Sequence, residues 1–264
     1  MIYSIINKIE CLGKASLKFM ITIGKAGLLI KSIITGNVIL KRNIKQFIRH
    51  LYFIGVLSMG IIIISGLFIG MVVGLQGYYI LKKFGAEQVI GQMTVLTIIR
   101  ELGPVISALL FAGRTGASLT AEIGLMECTE QLSSMEMMGI DPIKKVIAPR
   151  FWAGLIAMIL LALIFIVIAI IGSYISTVHW LNVDSNSFWS SIQENVNFKV
   201  DIINSIIKST IFGFIITWIS VFQGITCKPT AEGIAISTTN TVVYSSFTIL
   251  GLNFFLTAIM FKWN

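Results

Sequence analysis

Charge is what this chain has least of. Only 12% of its 264 residues are Asp, Glu, Lys or Arg, where soluble domains carry about 25%, while 56% are hydrophobic and the mean hydropathy is +0.90. That balance rules out a water-soluble fold and makes the chain an integral membrane protein. A transmembrane β-barrel is disfavoured as well, because the apolar runs are continuous rather than alternating.

The motifs of soluble chemistry are missing too. No GxxxxGK[ST] phosphate loop occurs: "LGKAS" and "IGKAG" lack both the first glycine and the hydroxyl residue after the lysine. His50 and His179 are the only histidines, and both flank apolar runs, where a polar ring at the interface is the ordinary reading. Cys11, Cys128 and Cys227 are too widely spaced to suggest a zinc site or a disulfide framework. No hydrolase triad is visible, so the chain is not read as an enzyme. Work on a substrate must then draw on a partner or an ion gradient. Ion-coupled folds usually carry internal repeats, and none is found here.

What the chain does have is uninterrupted apolar length. Leu51–Leu81, Phe151–Val178, Ser209–Cys227 and Gly233–Phe261 contain no acidic or basic side chain. Each reaches the ~20 residues that a helix needs to cross the hydrocarbon core. A fifth candidate starts near Pro104, since proline suits the first turn of a helix. The expected fold is an all-α integral membrane protein with five transmembrane helices over residues 51–264, preceded by a basic region over 1–50.

The basic region orients the chain. Lys8, Lys14, Lys18, Lys25, Lys31, Lys41, Arg42, Lys45 and Arg49 stand against Glu10 alone, which accounts for the whole formal charge of +8. The positive-inside rule puts this end in the cytoplasm, and five spans then put the C-terminus outside. Lys82 and Lys83 fall on the outer side and count weakly against it. On a helix, Ile2, Ile5, Ile9, Leu12, Met20 and Ile23 share one face, with Lys14, Lys18 and Lys25 opposite, the pattern of an interfacial amphipathic helix. A solvated basic arm is the alternative.

The stretch "RELGPVISALLFAGRTGASLTAEIG" at 100–124 is charged where its neighbours are not. Ala108, Ala112 and Gly116 recur every four residues, as do Gly113, Ala117 and Ala121. Two such rows let a neighbouring helix backbone approach closely. Arg114 lies within this segment, and a charge there must face protein or water. A structural polar network and a direct part in transport both remain open for it. Arg100 and Glu101 point about 100° apart on a helix, so they are not expected to pair. Gly103-Pro104 invites a kink or a fresh start, and a broken helix at membrane depth is tolerated where it lines a cavity. Glu101 is therefore a candidate cavity residue.

"ECTEQLSSMEMMGIDP" predicts a short helix between two spans at about 126–142. Leu132, Met135 and Met138 fall three apart, Glu127, Glu130 and Glu136 are interspersed, Gly139 is a stop, and Asp141-Pro142 is a new start. Such a helix either lies on the membrane or enters a partner's groove, with methionines as adaptable contacts.

The run "RELGPVISALLFAGRTGASLTAEIGLMECTEQLSSMEMMGIDPIKKVIAPRFWAG" closely resembles the signature region of the MlaE (YrbE) family, permease subunits of Mce-associated lipid ABC transporters. The likeness continues through "IGVLSMGIIIISGLFIGMVVGLQGY", "TWISVFQG" and "TVVYSSFTILGLNFFLTAIMF", and is weakest in residues 1–50. It implies an inner-membrane homodimer bound to an MlaF-type ATPase, an MlaB-type STAS protein and an MlaD-type MCE protein. Such a complex moves phospholipid to maintain outer-membrane lipid asymmetry, with no role for nucleic acid. ATP and Mg would sit on the ATPase, with no cofactor on this chain. Glu127, Glu130, Leu132, Met135, Glu136 and Met138 would then form the coupling helix.

Under that resemblance, Val73, Ile80, Phe84 and Leu102 are expected to meet acyl chains, with Gln76, Arg100 and Glu101 serving head groups or gating. Ordinary lipid-facing or packing surface is the alternative for the apolar ones. Lys208 either snorkels or helps hold a phosphate. Two rival functions stay open: an ion-coupled secondary transporter, and a membrane anchor for an MCE–ATPase assembly.

Overall fold

The computed structural model describes residues 44–262 and, nearer the N-terminus, residues 13, 17, 20–22 and 24–34. Ile2, Ile5, Ile9, Leu12, Ile23, Lys14 and Lys18 of the expected interfacial face lie outside the described residues, as does Cys11. All regular structure among the described residues is helical.

Five helices are long and apolar enough to cross a membrane: Ile44–Lys82, Glu87–Cys128, Ile143–Trp180, Lys199–Ile225 and Ala231–Met260. They arise where the continuous apolar runs predict them, because every backbone polar group in hydrocarbon must be satisfied within its own segment. Their ends reach further than the runs. The first span starts at Ile44, ahead of the boundary at 50/51, and the second starts at Glu87 rather than near Pro104.

The second span corrects the reading of Gly103-Pro104 as a break. The helix continues from Glu87 to Cys128, with π-turns at Ile98–Leu102, directly before Pro104, and at Ala112–Gly116. Proline cannot donate to the carbonyl four residues back and its ring crowds that turn. A wider turn absorbs the conflict without ending the helix.

Packing between the first and third spans depends on glycine. Ser58, Ile62, Gly66, Gly70 and Gly74 form a buried row on the first span. A methyl group at Gly70 would strike the Ala169 carbonyl, and one at Gly172 would strike the Leu67 carbonyl. This is small-residue contact between backbones. In the second span, Ala108, Ala112 and Gly116 are buried, with Gly116 facing Ile216 and Ser220 of the fourth span and Thr241 of the fifth. The adjoining row behaves differently: Gly113 is exposed with open space around it, and Ala117 and Ala121 are half-buried.

Two further elements complete the frame. Residues 24–34 form a helix that lays Ala26, Leu29 and Ile33 against the bundle, while Met20, Lys25 and Leu28 are exposed. Trp218 Nε1 donates to the Ala26 carbonyl at 3.2 Å. Between the third and fourth spans, Ser185–Asn195 is a helix that buries Phe188 and Ile192. Asp184 caps it, accepting from the Ser187 N–H at 2.9 Å, the preferred way to satisfy a first-turn donor. Those N–H bonds, with the Ser187 hydroxyl, hold the Asp184 carboxyl below the usual carboxylate range.

Candidate functional site

Three charges of the second span, Arg100, Arg114 and Glu122, are each met by a different neighbouring span. Arg100 Nε donates to Asp201 Oδ1 at 2.8 Å, with the arginine side chain 33% exposed and the aspartate 1%. Its carboxylate partner is thus Asp201 on the fourth span rather than the adjacent Glu101. Lys208 does not snorkel. It is 3% exposed, and its ammonium donates to the Arg100 carbonyl and to Thr257 Oγ1, each at 2.8 Å.

The carbonyl contact follows from the sequence. Residue 104 is proline, so the Arg100 carbonyl lacks its α-helical donor, and Lys208 supplies a charged one. Glu101 is half-buried and within Coulombic reach of Lys208. Asp201 Oδ2 is buried and accepts no hydrogen bond among the described residues. Two cations and two carboxylates thus meet at one end of the bundle, with the guanidinium partly open to the outside. Such an edge suits a phosphate or carboxylate.

The lipid-facing set divides in two. Arg100, Glu101 and Lys208 come together with Asp201 and Thr257, and Leu102 is half-buried. Gln76, Ile80 and Phe84 lie on the outer surface at the end of the first span, and Val73 is half-buried against the core. Asp201 and Thr257 were missed by the sequence reading. Asp201 sits in the first turn of the helix Phe198–Ile225.

At the opposite end the expected coupling helix is shorter than 126–142: it runs from Gln131 to Met137. Glu127 belongs to the second span instead, and Glu130 (φ 56°) takes a left-handed turn between them. Gly139 (φ 73°) ends the short helix as predicted. Leu132 is buried in the chain's own core and Met135 is half-buried, whereas Glu130, Glu136 and Met138 are exposed. Met137, passed over in the sequence, is the most exposed of these apolar side chains at 84%. Of the residues three apart, Leu132 and Met135 face the chain itself, while Met138 is exposed beside Met137. A groove of ≈ 740 Å³ beside the helix is lined by Leu29, Glu127, Leu132, Glu136 and Phe222.

The third span then starts on a cap. Asp141 Oδ1 accepts from the N–H groups of Ile143 and Lys144, and Lys144 Nζ pairs with Oδ2 at 3.0 Å. Partial burial would raise the Asp141 carboxyl, but these donors hold it below the usual range. Arg150 Nε lies 3.5 Å from Glu122 Oε2. Arg114 donates to the Ser58 hydroxyl, which also meets Thr115 Oγ1 at 3.2 Å. In this chain its partners are therefore other side chains of the bundle.

A family model described as "Permease MlaE" matches residues 47–259. The intermembrane phospholipid transport system permease protein MlaE of Haemophilus influenzae is 51% identical over 97% of this chain and 98% of its own length. A probable ABC transporter permease protein of Rickettsia typhi is 36% identical over 98% and 99%, and one of Synechocystis 33% over 87% and 89%.

Proposed function

The chain belongs to the MlaE permease family, and we propose that it is the membrane permease of an ATP-driven phospholipid transport complex. It is a multi-pass inner-membrane protein of the ABC permease class, working with an ATPase partner on a lipid substrate. The observation that carries the phospholipid reading is the 51% identity to the Haemophilus permease along nearly the whole chain. The charged cluster at Arg100 adds a chemical reason: a partly exposed guanidinium, backed by Asp201, Lys208 and Glu101, can meet a phosphate inside an apolar bundle.

In this reading the N-terminus is cytoplasmic and the C-terminus periplasmic, so the Arg100 cluster faces the periplasm and the Gln131–Met137 helix faces the ATPase. ATP and Mg act on an MlaF-type subunit, and this chain holds no nucleotide. Met137, Met138, Glu130 and Glu136 present the exposed contact for that subunit. An MlaD-type MCE protein and an MlaB-type STAS protein complete the assembly. Two copies of the chain pair in the membrane, consistent with Phe247, Phe254 and Phe255 of the fifth span standing 63–72% exposed. Acyl chains then contact Val73, Ile80, Phe84 and Leu102, with Gln76 and Arg100 at the head group.

Reconstituting the complex in liposomes tests this. Lipid transfer should require ATP and fall with Glu101→Gln or Gln76→Ala while the complex stays assembled. Transfer that survives loss of the ATPase and follows a proton gradient would establish an ion-coupled transporter. Unchanged transfer in both variants would leave the chain a scaffold.

A further inference from the structure

The end of the bundle opposite Arg100 contains a cavity of ≈ 490 Å³ that the Arg100 cluster does not explain. Four elements build it: the start of the first span (Arg49, His50, Phe53), the end of the second (Glu122, Met126), the short helix (Met135), and the start of the third span (Lys145, Arg150). Three permanent cations, Arg49, Lys145 and Arg150, thus face one carboxylate, Glu122, leaving an excess of positive charge. Arg150 is only partly satisfied. Its side chain is 10% exposed, its guanidinium donates to the Val146 carbonyl at 3.2 Å, and its Nε, 3.5 Å from Glu122 Oε2, makes no hydrogen bond among the described residues.

The depth and walls of the cavity indicate what the anion belongs to. Arg49 and Lys82 are separated by about 50 Å of helix at 1.5 Å per residue, slightly more than a bilayer with its head groups. The cavity therefore lies at head-group level. Phe53, Met126 and Val146 make its apolar side. A smaller cavity of ≈ 90 Å³ shares Phe53 and Glu122 and continues to Arg114.

We propose that this cavity binds the phosphate of a phospholipid from the leaflet on the short-helix side, a second lipid position at the end of the bundle opposite Arg100. The proposal rests on the permease reading and adds an entry or exit site to it. Arg49, Lys145 and Arg150 neutralise the phosphodiester, and Phe53 and Met126 receive the first carbons of the acyl chains.

Photo-crosslinking tests it. The full-length chain is placed in nanodiscs of phosphatidylglycerol bearing a diazirine near the ester end of one acyl chain, irradiated, and mapped by peptide mass spectrometry. Adducts are expected on Phe53, Met126 or Val146. They should fall about tenfold in Arg49→Gln/Lys145→Gln, since each basic residue near an anionic head group contributes strongly, while adducts at Leu102 are unchanged. Both substituted residues are exposed, so folding is preserved, and Arg150→Gln/Glu122→Gln removes the buried arginine and its partly exposed carboxylate together as a second variant. Unchanged labelling in both variants overturns the proposal. So does loss of labelling when the ATPase is bound, which would make the cavity a protein contact, or displacement by excess inorganic phosphate, which would make it a free-anion site. Absence of adducts at Gln76 and Leu102, with those at Phe53 kept, counts against the outward pocket and supports this one.

Discussion

Replacing Asp201 by asparagine removes one negative charge from the Arg100 cluster and keeps its shape. The carboxylate accepts a 2.8 Å bond from Arg100 Nε. Bonds to charged groups contribute about 1.5–3 kcal/mol and neutral ones about 1 kcal/mol, so the lost charge costs about 1 kcal/mol. The new amide must also turn its NH2 to the buried Oδ2 position, which makes no hydrogen bond among the described residues; a donor left unsatisfied there costs about 1–3 kcal/mol. The arginine is 33% exposed, so solvent recovers part of the loss, and a net destabilisation of about 2 kcal/mol results. For a chain of this size that is a fall of about 4–8 °C in Tm, readable by thermal unfolding of the purified chain in detergent. Arg100→Gln/Asp201→Asn should be less damaged than the sum of its single changes by about 1 kcal/mol. A shift below about 1 °C, or strict additivity, would refute the assignment of this pair as a buried structural support.

Three more outcomes follow from the packing. Gly70→Val should prevent stable folding, because its side chain enters the Ala169 backbone rather than a flexible neighbour; loss of a monodisperse peak on size exclusion checks this, and normal behaviour would contradict it. In a Cys11→Ser background, maleimide should label Cys128 well before Cys227, whose thiol is pushed up by burial and by the nearby Glu127; raising the pH should narrow the gap, since the thiolate is the reactive form. On the short helix, Leu132→Ala should cost about 2–5 kcal/mol of stability as a core truncation, whereas Met137→Ala should leave Tm unchanged and weaken capture of the ATPase.

Apolar length alone made the spans legible, because a helix in lipid must be long and satisfied within itself. Legibility failed where one residue's conformation depends on a distant one. Pro104 reads locally as a break, and the helix is kept unbroken by the π-turn at Ile98–Leu102 and by Lys208, which reaches the Arg100 carbonyl from the fourth span. The glycine row on the first span was hidden in a long apolar run, although Gly66, Gly70 and Gly74 show the same four-residue spacing that singled out Ala108, Ala112 and Gly116. Lys208 illustrates a further limit: a lysine near a span end can reach either water or protein, and composition does not choose. The helix at Ser185–Asn195 was legible only through the side chain of Asp184.

The second span distributes its charges among its neighbours, Arg100 to the fourth span, Arg114 to the first and Glu122 to the third. Its small-residue row meets the fourth and fifth through Gly116. These contacts constrain motion differently. A smooth small-residue surface holds helices close with little directional preference, whereas each charged bond fixes the direction of a side chain and so the rotation of its helix. Glu122 and Arg150 join the two arms that flank the Gln131–Met137 helix. Splaying those arms would strip Arg150, 10% exposed, of its carboxylate, and an uncompensated buried charge costs about 3–5 kcal/mol. If the short helix takes the proposed ATPase contact, a push on it would be delivered to the second and third spans together. The second span can then tilt or slide about its small-residue middle, while rotation is opposed by the bonds at its two ends.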